Sequence, residues 1–218
     1  ITVALDIFQN ILNPVSEDMI TRKRIVKNGV KEFISMRTFH NWLKSDIIKK
    51  YTKGKRTLLD LACGKGGDLH KWNQSDINKV IGIDINEESI REAEKRTSSS
   101  RCSTDIKFYV LDLSRESISS LNISHKFDII NCQFALHYFF ETEETARHFL
   151  KNVSDNLDDD GFFIGTVFDG LKVFNALKES DVEYVSAGGE LLLKIEKKYN
   201  ADEFTEMKDY GECINVYM

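Results

Sequence analysis

The chain has 218 residues, of which 41% are hydrophobic and 30% charged, and it can bury one substantial core as a single α/β domain. Its net charge of −5 argues against a general nucleic-acid-binding protein, which is usually basic, but not against a protein that grips only one end of an RNA chain. No apolar run reaches the length of a membrane span, so we expect no membrane partner. The cysteines are scattered without metal-type pairs and predict reduced thiols, an intracellular protein and no metal site: Cys63, Cys102, Cys132 and Cys213.

The first predicted helix follows a lead-in segment. We expect residues 1–36 to form this lead-in and residues 37–218 to form one domain. Apolar side chains recur at helical spacing between residues 37 and 52 and predict a helix there, namely Phe39, Trp42, Leu43, Ile47 and Tyr51. Lys44 lies beside this apolar face, and we expect it to point toward the start of the first strand.

Strands and helices alternate from residue 57 onward. Strands are predicted at residues 57–62, 79–84, 106–111, 127–132 and 161–167, the last introduced by an acidic turn at Asp158–Gly161. Helices are predicted between them at residues 66–74, 87–97 and 142–157. This alternation predicts an α/β fold in which a mostly parallel sheet carries helices on both faces.

The pattern changes after residue 168. We predict a helix at residues 171–180 and strands at residues 190–199 and 214–218. The chain ends inside the last apolar run, whereas a sheet of this type usually finishes with an antiparallel pair of strands. We therefore expect that the C-terminal part of the domain is missing.

A glycine-rich turn follows the first predicted strand, in the stretch LLDLACGKGGD at Leu58–Asp68. Gly64, Gly66 and Gly67 let the backbone of this turn come close to a ligand. In parallel sheets, ligands bind outside the carboxyl ends of the strands. The stretch therefore predicts a ligand site at the end of the first strand.

Carboxylates close the next two predicted strands. Asp84 ends the second strand, and a carboxylate about 20 residues beyond a glycine turn can bind the hydroxyls of a ribose. Asp112 ends the third strand. Each has a simpler interpretation, because Asp84 could cap the next helix with Glu87 in a capping box and Asp112 could be an ordinary turn residue. Their clustering at strand ends favours a nucleoside cofactor.

The charges around the glycine turn distinguish between cofactors. A nicotinamide dinucleotide requires G-x-G-x-x-G, whereas the turn lacks the third glycine, and Asp60 inside the strand would repel a pyrophosphate. S-adenosylmethionine has no phosphate, and its sulfonium and amino groups are positive, so Asp60 and Asp68 suit it electrostatically. Asp112 could then hold the adenine amino group. These residues favour methyl transfer over hydride transfer.

The fourth predicted strand ends in the sequence NCQFALHYFFE at residues 131–141. It brings four residues to the edge of the sheet where the cofactor is expected, namely Gln133, Phe134, His137 and Tyr138. Such aromatic residues are usually part of a core, and a lone histidine is more often structural than catalytic. A purine, however, can be sandwiched by aromatic rings and read by hydrogen bonds, for which Glu212 could supply an acceptor.

The chain resembles the eukaryotic and viral mRNA cap guanine-N7 methyltransferases. The resemblance rests on Asp84 and on the motifs FHNWLK (39–44), LLDLACGKGGDLHKW (58–72), CQFALHYFF (132–140) and GFFIGTVFDG (161–170). It implies the Rossmann-like fold of a class I S-adenosylmethionine-dependent methyltransferase, with a mostly parallel sheet of seven strands. The implied reaction is in-line transfer of a methyl group to N7 of the terminal guanosine of capped RNA, which leaves S-adenosylhomocysteine and needs neither a general base nor a covalent intermediate.

The resemblance also implies roles for individual residues. Lys44 is similar to the lysine that contacts the cofactor carboxylate, Asp84 to the ribose-binding acid and Asp112 to the adenine-binding acid. The remaining implied cofactor contacts are Asp60, Ala62, Gly64, Asp68, Gln133 and Tyr138. The implied cap contacts are Lys65 and Arg96 near the phosphates, Phe134, His137 and Tyr138 around the guanine, and Glu212 at its edge. Ala62 stands where the family has glycine, which we expect to be tolerated if its backbone angles are ordinary.

The expected partner is 5′-capped RNA. The segment Asn13-Pro14-Val15 resembles the connector of large viral capping enzymes, so guanylyltransferase and triphosphatase domains are expected in the same polypeptide. The expected location is the nucleus, or the host cytoplasm for a viral protein. Two alternatives stay open: a methyltransferase acting on another substrate, and a non-catalytic module that activates a capping complex.

Overall fold

The computed structural model describes residues 26–27, 30–31, 36–100, 102–187, 190–199, 211 and 214–217. The chain divides into two compact units, one formed by Lys44–Val167 and the other by Ile1–Leu43 with Phe168–Met218. Most of the predicted lead-in lies outside the described residues, as does Glu212 with the role expected of it.

From residue 36 to residue 166 the helices and strands follow the predicted order, whereas two short strands lie within the predicted lead-in. The strands are β1 (Val26–Lys27), β2 (Val30–Lys31), β3 (Thr57–Leu61), β4 (Lys79–Asp84), β5 (Asp105–Val110), β6 (Phe127–Gln133), β7 (Leu157–Thr166), β8 (Val182–Ala187), β9 (Glu190–Lys197) and β10 (Ile214–Tyr217). The helices are α1 (Met36–Tyr51), α2 (Leu69–Asn73), α3 (Glu87–Ser99), α4 (Glu143–Asn156) and α5 (Gly170–Ala176), with short 3₁₀ helices at Ile118–Leu121 and Leu136–Phe140.

A parallel sheet in the order β5-β4-β3-β6-β7 organises the unit Lys44–Val167. Leu58, Leu59 and Leu61 of β3 are fully buried, as expected for a strand in the middle of a sheet that is covered on both faces. The strand order reverses at β3, which lies between β4 and β6. Ligands in such sheets bind outside the strand ends near this reversal. The predicted α/β class with a parallel sheet is confirmed.

The strand β7 begins earlier than predicted. The turn predicted at Asp158–Gly161 is part of the strand, in which Leu157 pairs with Phe127 and Phe162 pairs with Ile129. β7 therefore carries extra residues between these two pairs, and its three aspartates point into solvent in an irregular stretch. Local composition indicates a turn here, but strand pairing continues around the irregularity.

The number of strands in the sheet differs from the number expected. Five strands form the parallel sheet, whereas β8, β9 and β10 form a separate antiparallel sheet in the order β10-β9-β8. The expected count of seven is therefore not confirmed by the described part of the chain. The strands β1, β2 and β8 were not predicted.

Apolar side chains from α1, α2 and the sheet form the core of the unit Lys44–Val167. Its buried members are Ile48, Leu58, Trp72, Ile77, Val80, Ile129 and Ile164. Trp72 is fully buried and fixes the short helix α2 against this core. Truncation of a buried tryptophan costs about 3–5 kcal/mol of stability, so this contact holds the segment after the glycine turn in place.

In the other unit, the side chain of Lys197 secures the strand β9 to the end of the helical segment. Its Nζ donates to the carbonyl oxygen of Leu177 at 3.0 Å and lies 3.0 Å from Asp181 Oδ1. The ring of Phe174 stacks on that of Tyr199, with centroids 6.4 Å apart.

Among the described helices, none is long and apolar enough to cross a membrane.

Candidate functional site

The carboxylate of Asp84 joins the end of β4 to the glycine turn that follows β3. Its Oδ2 accepts a hydrogen bond from the backbone N–H of Gly64 at 2.7 Å, and its Oδ1 accepts one from Asn86 at 2.9 Å. Asn86, rather than Asp84, caps helix α3, because its side chain accepts from the N–H of Ser89. The helix-cap interpretation of Asp84 is therefore wrong.

The glycine turn has a left-handed backbone at three positions. Gly64 has φ 53° and Gly66 has φ 66°, values that glycine adopts without strain. A Cβ on Gly66 would also come within 3.1 Å of the Cβ of Ala93, so the turn packs closely on α3. Ala62 has φ 59°, so the condition of ordinary backbone angles, under which its methyl group was expected to be tolerated, is not met. Its methyl group costs about 1–2 kcal/mol in this conformation.

Asp68 is held between two lysines. Its Oδ1 lies 2.8 Å from Lys44 Nζ and 2.6 Å from Lys71 Nζ, and the aspartate is buried. Lys44 therefore points from α1 to the end of the glycine turn, so the expectation that it points toward the start of the first strand is wrong. Lys71 was not identified from the sequence, although its position three residues after Asp68 in a short helix could have indicated the contact.

Asp60 is a buried carboxylate, with only 3% of the residue exposed. Its Oδ1 accepts a hydrogen bond from Asn131 Nδ2, a partner on the neighbouring strand β6. Burial and the nearby charge of Asp68 raise the pKa of Asp60 to about 8, although the hydrogen bond from Asn131 and the charge of Lys44 act in the opposite direction.

The amide of Gln133 is hydrogen bonded at both ends. Its Nε2 donates to Asn131 Oδ1 at 2.7 Å, and its Oε1 accepts from the hydroxyl of Thr166 at 2.8 Å. Gln133 therefore continues the hydrogen bonds of Asp60 and Asn131 to the end of β7. Asn131 and Thr166 were not identified from the sequence, although a polar residue inside the apolar strand DIINCQ was a usable signal.

Asp112 lies in a tight turn after β5. Its Oδ1 accepts from the N–H and the hydroxyl of Ser114, so the turn interpretation is correct for one of its carboxylate oxygens. The other oxygen, Oδ2, lies 3.8 Å from Arg115 Nε.

Asn152 of α4 holds the loop that follows Asp112. Its Oδ1 accepts from the Ile118 N–H at 3.0 Å, and its Nδ2 donates to the carbonyl of Glu116 at 2.8 Å.

The aromatic residues after β6 divide between surface and core. Tyr138 is 72% exposed, and its ring centroid lies 4.3 Å from that of His137. Burial lowers the pKa of His137, so its imidazole is neutral at pH 7. Phe139 instead stacks on Phe149 in the interior, at 3.9 Å between centroids, and the core interpretation holds for it.

Phe134 introduces this segment in a left-handed conformation. Its φ is 59°, and its N–H donates to the carbonyl of Thr166 at 2.8 Å. A bulky residue with positive φ is uncommon, and such strain clusters at functional sites. Phe134 and Ala62 thus mark the carboxyl ends of the adjacent strands β6 and β3.

Lys65 and Arg96 are the two cations expected near the cap phosphates. Both form ion pairs with Glu92. Glu92 Oε2 lies 2.8 Å from Lys65 Nζ, and Glu92 Oε1 lies 2.5 Å from Arg96. The hydrogen bond to Glu92 raises the pKa of Lys65, and the same contact lowers the pKa of Glu92. Glu92 was missed by sequence reasoning, although its position four residues before Arg96 on α3 was a signal.

An exposed apolar side chain lies next to Asp84. Ile85 is 65% exposed directly after β4, where solvent would favour a polar residue. It was not identified from the sequence. It places an apolar side chain beside the carboxylate that is bonded to Gly64.

The chain is similar to a known protein family and to individual curated proteins. The model of the family described as mRNA (guanine-N(7))-methyltransferase domain matches residues 16–216. An mRNA cap guanine-N(7) methyltransferase of Eremothecium gossypii is 34% identical over 198 residues, with 85% of this chain and 45% of the relative covered. One from Schizosaccharomyces pombe is 41% identical over 147 residues, covering 65% and 41% respectively. The chain thus spans less than half the length of these two relatives.

Solved structures support the fold. An S-adenosylmethionine-dependent methyltransferase from Clostridium acetobutylicum superimposes with a TM-score of 0.54 at 20% identity, covering 77% of this chain and 63% of that chain. At this identity the likeness shows the fold alone, which is the Rossmann-like methyltransferase fold. With the family match over residues 16–216, the chain belongs to the mRNA (guanine-N(7))-methyltransferase domain family.

Proposed function

We propose that the protein transfers the methyl group of S-adenosylmethionine to N7 of the terminal guanosine of capped mRNA. The observation that carries the proposal is the hydrogen bond between Asp84 and Gly64, which fixes a carboxylate and a glycine turn at the reversal of strand order. The aromatic pair His137–Tyr138 follows the adjacent strand β6. Family membership supports the same activity.

The acceptor groups and the exposed apolar side chain at the strand ends fit the nucleoside half of the cofactor. Each oxygen of Asp84 accepts one backbone N–H and keeps a lone pair for a ribose hydroxyl. Ile85 offers an apolar surface to the adenine ring. Asp112 has one oxygen engaged by Ser114, so its second oxygen can accept from the adenine amino group.

The charged groups near the glycine turn fit the methionine half. Lys44 would hold the carboxylate, and the acids Asp60 and Asp68 would lie on the side of the ammonium and sulfonium groups. The left-handed backbone at Ala62 and Gly64 turns the chain away sharply at the end of β3 and leaves room for a ligand there. Gln133 and Tyr138 would complete the wall of this pocket from β6.

The cap would bind beside the aromatic segment. His137, Tyr138 and Phe134 would surround the guanine, with Lys65 and Arg96 at the phosphates. The two cations share Glu92, which leaves this cluster with a single net positive charge. Glu212 stays a proposal for the acid that reads the guanine edge.

The proposed reaction requires neither a general acid nor a general base from the protein. S-adenosylmethionine supplies an activated methyl group on a positively charged sulfur, and guanine N7 already carries an exposed lone pair. The residues of the chain would therefore act by holding the two reactants in line and by excluding other arrangements. His137 is neutral at pH 7 and would act as a hydrogen-bonding wall of the pocket rather than as a base.

A transfer assay with labelled S-adenosylmethionine tests the proposal. Capped unmethylated RNA should accept the label, whereas uncapped RNA and RNA with a methylated cap should not. Asp84→Ala should abolish transfer, and the matched control Asp155→Ala, which removes an exposed carboxylate of α4, should leave it unchanged. Cofactor binding without transfer would favour the activating module, and labelling of another substrate would favour the alternative methyltransferase.

The same proposal covers the domain organisation, the substrate and the location of the protein. Residues 37–218 would form the methyltransferase domain, and guanylyltransferase and triphosphatase domains would lie in the same polypeptide. Capped RNA would be the substrate in the nucleus, or in the host cytoplasm if the source is viral. Copurification of guanylyltransferase activity with the full-length protein would test this arrangement.

A further inference from the structure

Four side chains form a continuous chain of hydrogen bonds across three strand ends. Thr166 of β7 donates to Gln133 Oε1 at 2.8 Å, Gln133 of β6 donates to Asn131 Oδ1 at 2.7 Å, and Asn131 donates to Asp60 Oδ1 on β3. Asn131 is fully buried, and Asp60 is 3% exposed. We call these four residues the relay.

The relay runs in the direction that an ionised Asp60 requires. A carboxylate can only accept, and Asn131 and Gln133 each turn their NH₂ group toward it. A protonated carboxyl group can also accept from Asn131, through its carbonyl oxygen. The relay is therefore arranged for the carboxylate before the proton leaves.

The groups around Asp60 decide which form is present. Burial disfavours its negative charge most, Asp68 before α2 and Asp84 of β4 disfavour it further, and the hydrogen bond from Asn131 and the charge of Lys44 favour it. The thiols of Cys63 and Cys132 are neutral neighbours, since burial raises the pKa of each. Burial and these groups together raise the pKa of Asp60 to about 8, so the protonated form is the major one at pH 7.

We propose that Asp60 gives up its proton to solvent when the positively charged methyl donor binds, and that Asn131, Gln133 and Thr166, whose hydrogen bonds already run toward Asp60, stabilise the resulting carboxylate. This inference rests on the proposed function. The O–H bond of the carboxyl group breaks, its electron pair stays on Asp60, and the proton passes to the buffer. Asn131 is a positioning residue, because it acts through Asp60. The product has lost the sulfonium charge and favours the carboxylate less.

Calorimetry measures the released proton directly. Binding of S-adenosylmethionine to the wild-type protein at pH 7, in two buffers with different heats of ionisation, should show release of about one proton per site. S-adenosylhomocysteine should release clearly less. Asp60→Asn should bind without this release, because asparagine cannot ionise. Affinity of the wild type for S-adenosylmethionine should rise up to about tenfold per pH unit until the pH passes the pKa of Asp60.

Variants of Asn131 test the relay itself. Asn131→Leu removes the donor to the ionised carboxylate, so the proton release should persist to higher pH than in the wild type. The matched control is Cys132→Ala, a buried change on the same strand that leaves the relay intact and should not move this pH. If Asn131→Leu does not fold, Thr166→Val replaces it: it should weaken donor binding several-fold, and Thr166→Ser should restore the affinity.

The outcomes separate this inference from the function on which it rests. Binding of S-adenosylmethionine with equal heats in both buffers would overturn the relay and leave the proposed function standing. Undiminished release from Asp60→Asn would also overturn it. Failure of the wild type to bind S-adenosylmethionine at any pH would overturn the proposed function, and the relay with it.

Discussion

The carboxylate of Asp84 accepts a 2.7 Å hydrogen bond from the backbone N–H of Gly64, twenty residues earlier in the chain. One side chain thereby closes the glycine turn and remains able to accept from a ligand. Asp84→Ala should weaken S-adenosylmethionine binding about 100-fold or more, because it removes a charged acceptor of about 1.5–3 kcal/mol and releases the turn. Titration calorimetry with Asp155→Ala as control checks this, and near-normal affinity would refute the ribose role.

Ala62 occupies a backbone conformation that suits glycine. With φ at 59°, Ala62→Gly should raise the free energy of unfolding by about 0.5–1 kcal/mol, the strain relieved minus the added entropy of the unfolded chain. Ala93→Gly, at a buried helical position of α3, is the control and should lower the free energy by about 1 kcal/mol or more. Urea denaturation measures both. A loss of stability in Ala62→Gly would contradict the strained angle.

Lys65 and Arg96 share Glu92 and should act on the RNA rather than on the cofactor. Lys65→Met and Arg96→Met should each raise KM for capped RNA several-fold, with a weaker salt dependence, and leave S-adenosylmethionine affinity unchanged. Arg91→Met is the matched control, since Arg91 pairs with Glu87 on the same helix.

Glu92→Gln should have the opposite effect on RNA binding. It removes the negative charge between the two cations, so affinity for capped RNA at low salt should rise about two- to threefold and fall more steeply as salt is added. Fluorescence anisotropy with capped RNA measures this. If Glu92→Gln bound RNA no better and no more salt-dependently than the wild type, the two cations would not be phosphate contacts.

His137 should affect transfer much more than cofactor binding. His137→Ala should lower kcat/KM for capped RNA at least tenfold, because the ring that packs at a tilt against Tyr138 is lost from the proposed guanine pocket. The dissociation constant for S-adenosylmethionine should stay within about twofold. An equal loss of cofactor binding would place His137 outside the cap pocket.

The pH dependence of stability should show the buried carboxylate of Asp60. Its pKa rises from 3.8 in the unfolded chain to about 8 in the folded protein, so its favourable contribution is present below the lower value and is lost as pH rises to the upper one. Asp60→Asn should therefore gain stability relative to the wild type by up to about 1.4 kcal/mol per pH unit across this window, and no more above it. Urea denaturation from pH 5 to pH 9 tests this, and a constant difference would contradict it.

Local patterns in the sequence were sufficient for most of the fold. Apolar runs bounded by turn residues predicted β3, β4 and β6 to within a residue, because a strand buried on both faces needs a continuous apolar stretch. The early start of β7 was missed, since its irregular acidic stretch has the composition of a turn. The strand β8 was missed as well.

The sequence by itself determined which residues end the strands or directly follow them, namely Asp84, Asp112 and the aromatic segment after β6. It could do so because periodicity and residue chemistry are properties of neighbouring positions. Only the tertiary structure decided how they are used. Asp60 meets Asn131 through the pairing of β3 with β6, 71 residues apart, and Glu92 meets Lys65 through the packing of α3 on the glycine turn. Such contacts depend on strand register and helix placement, which no local stretch specifies.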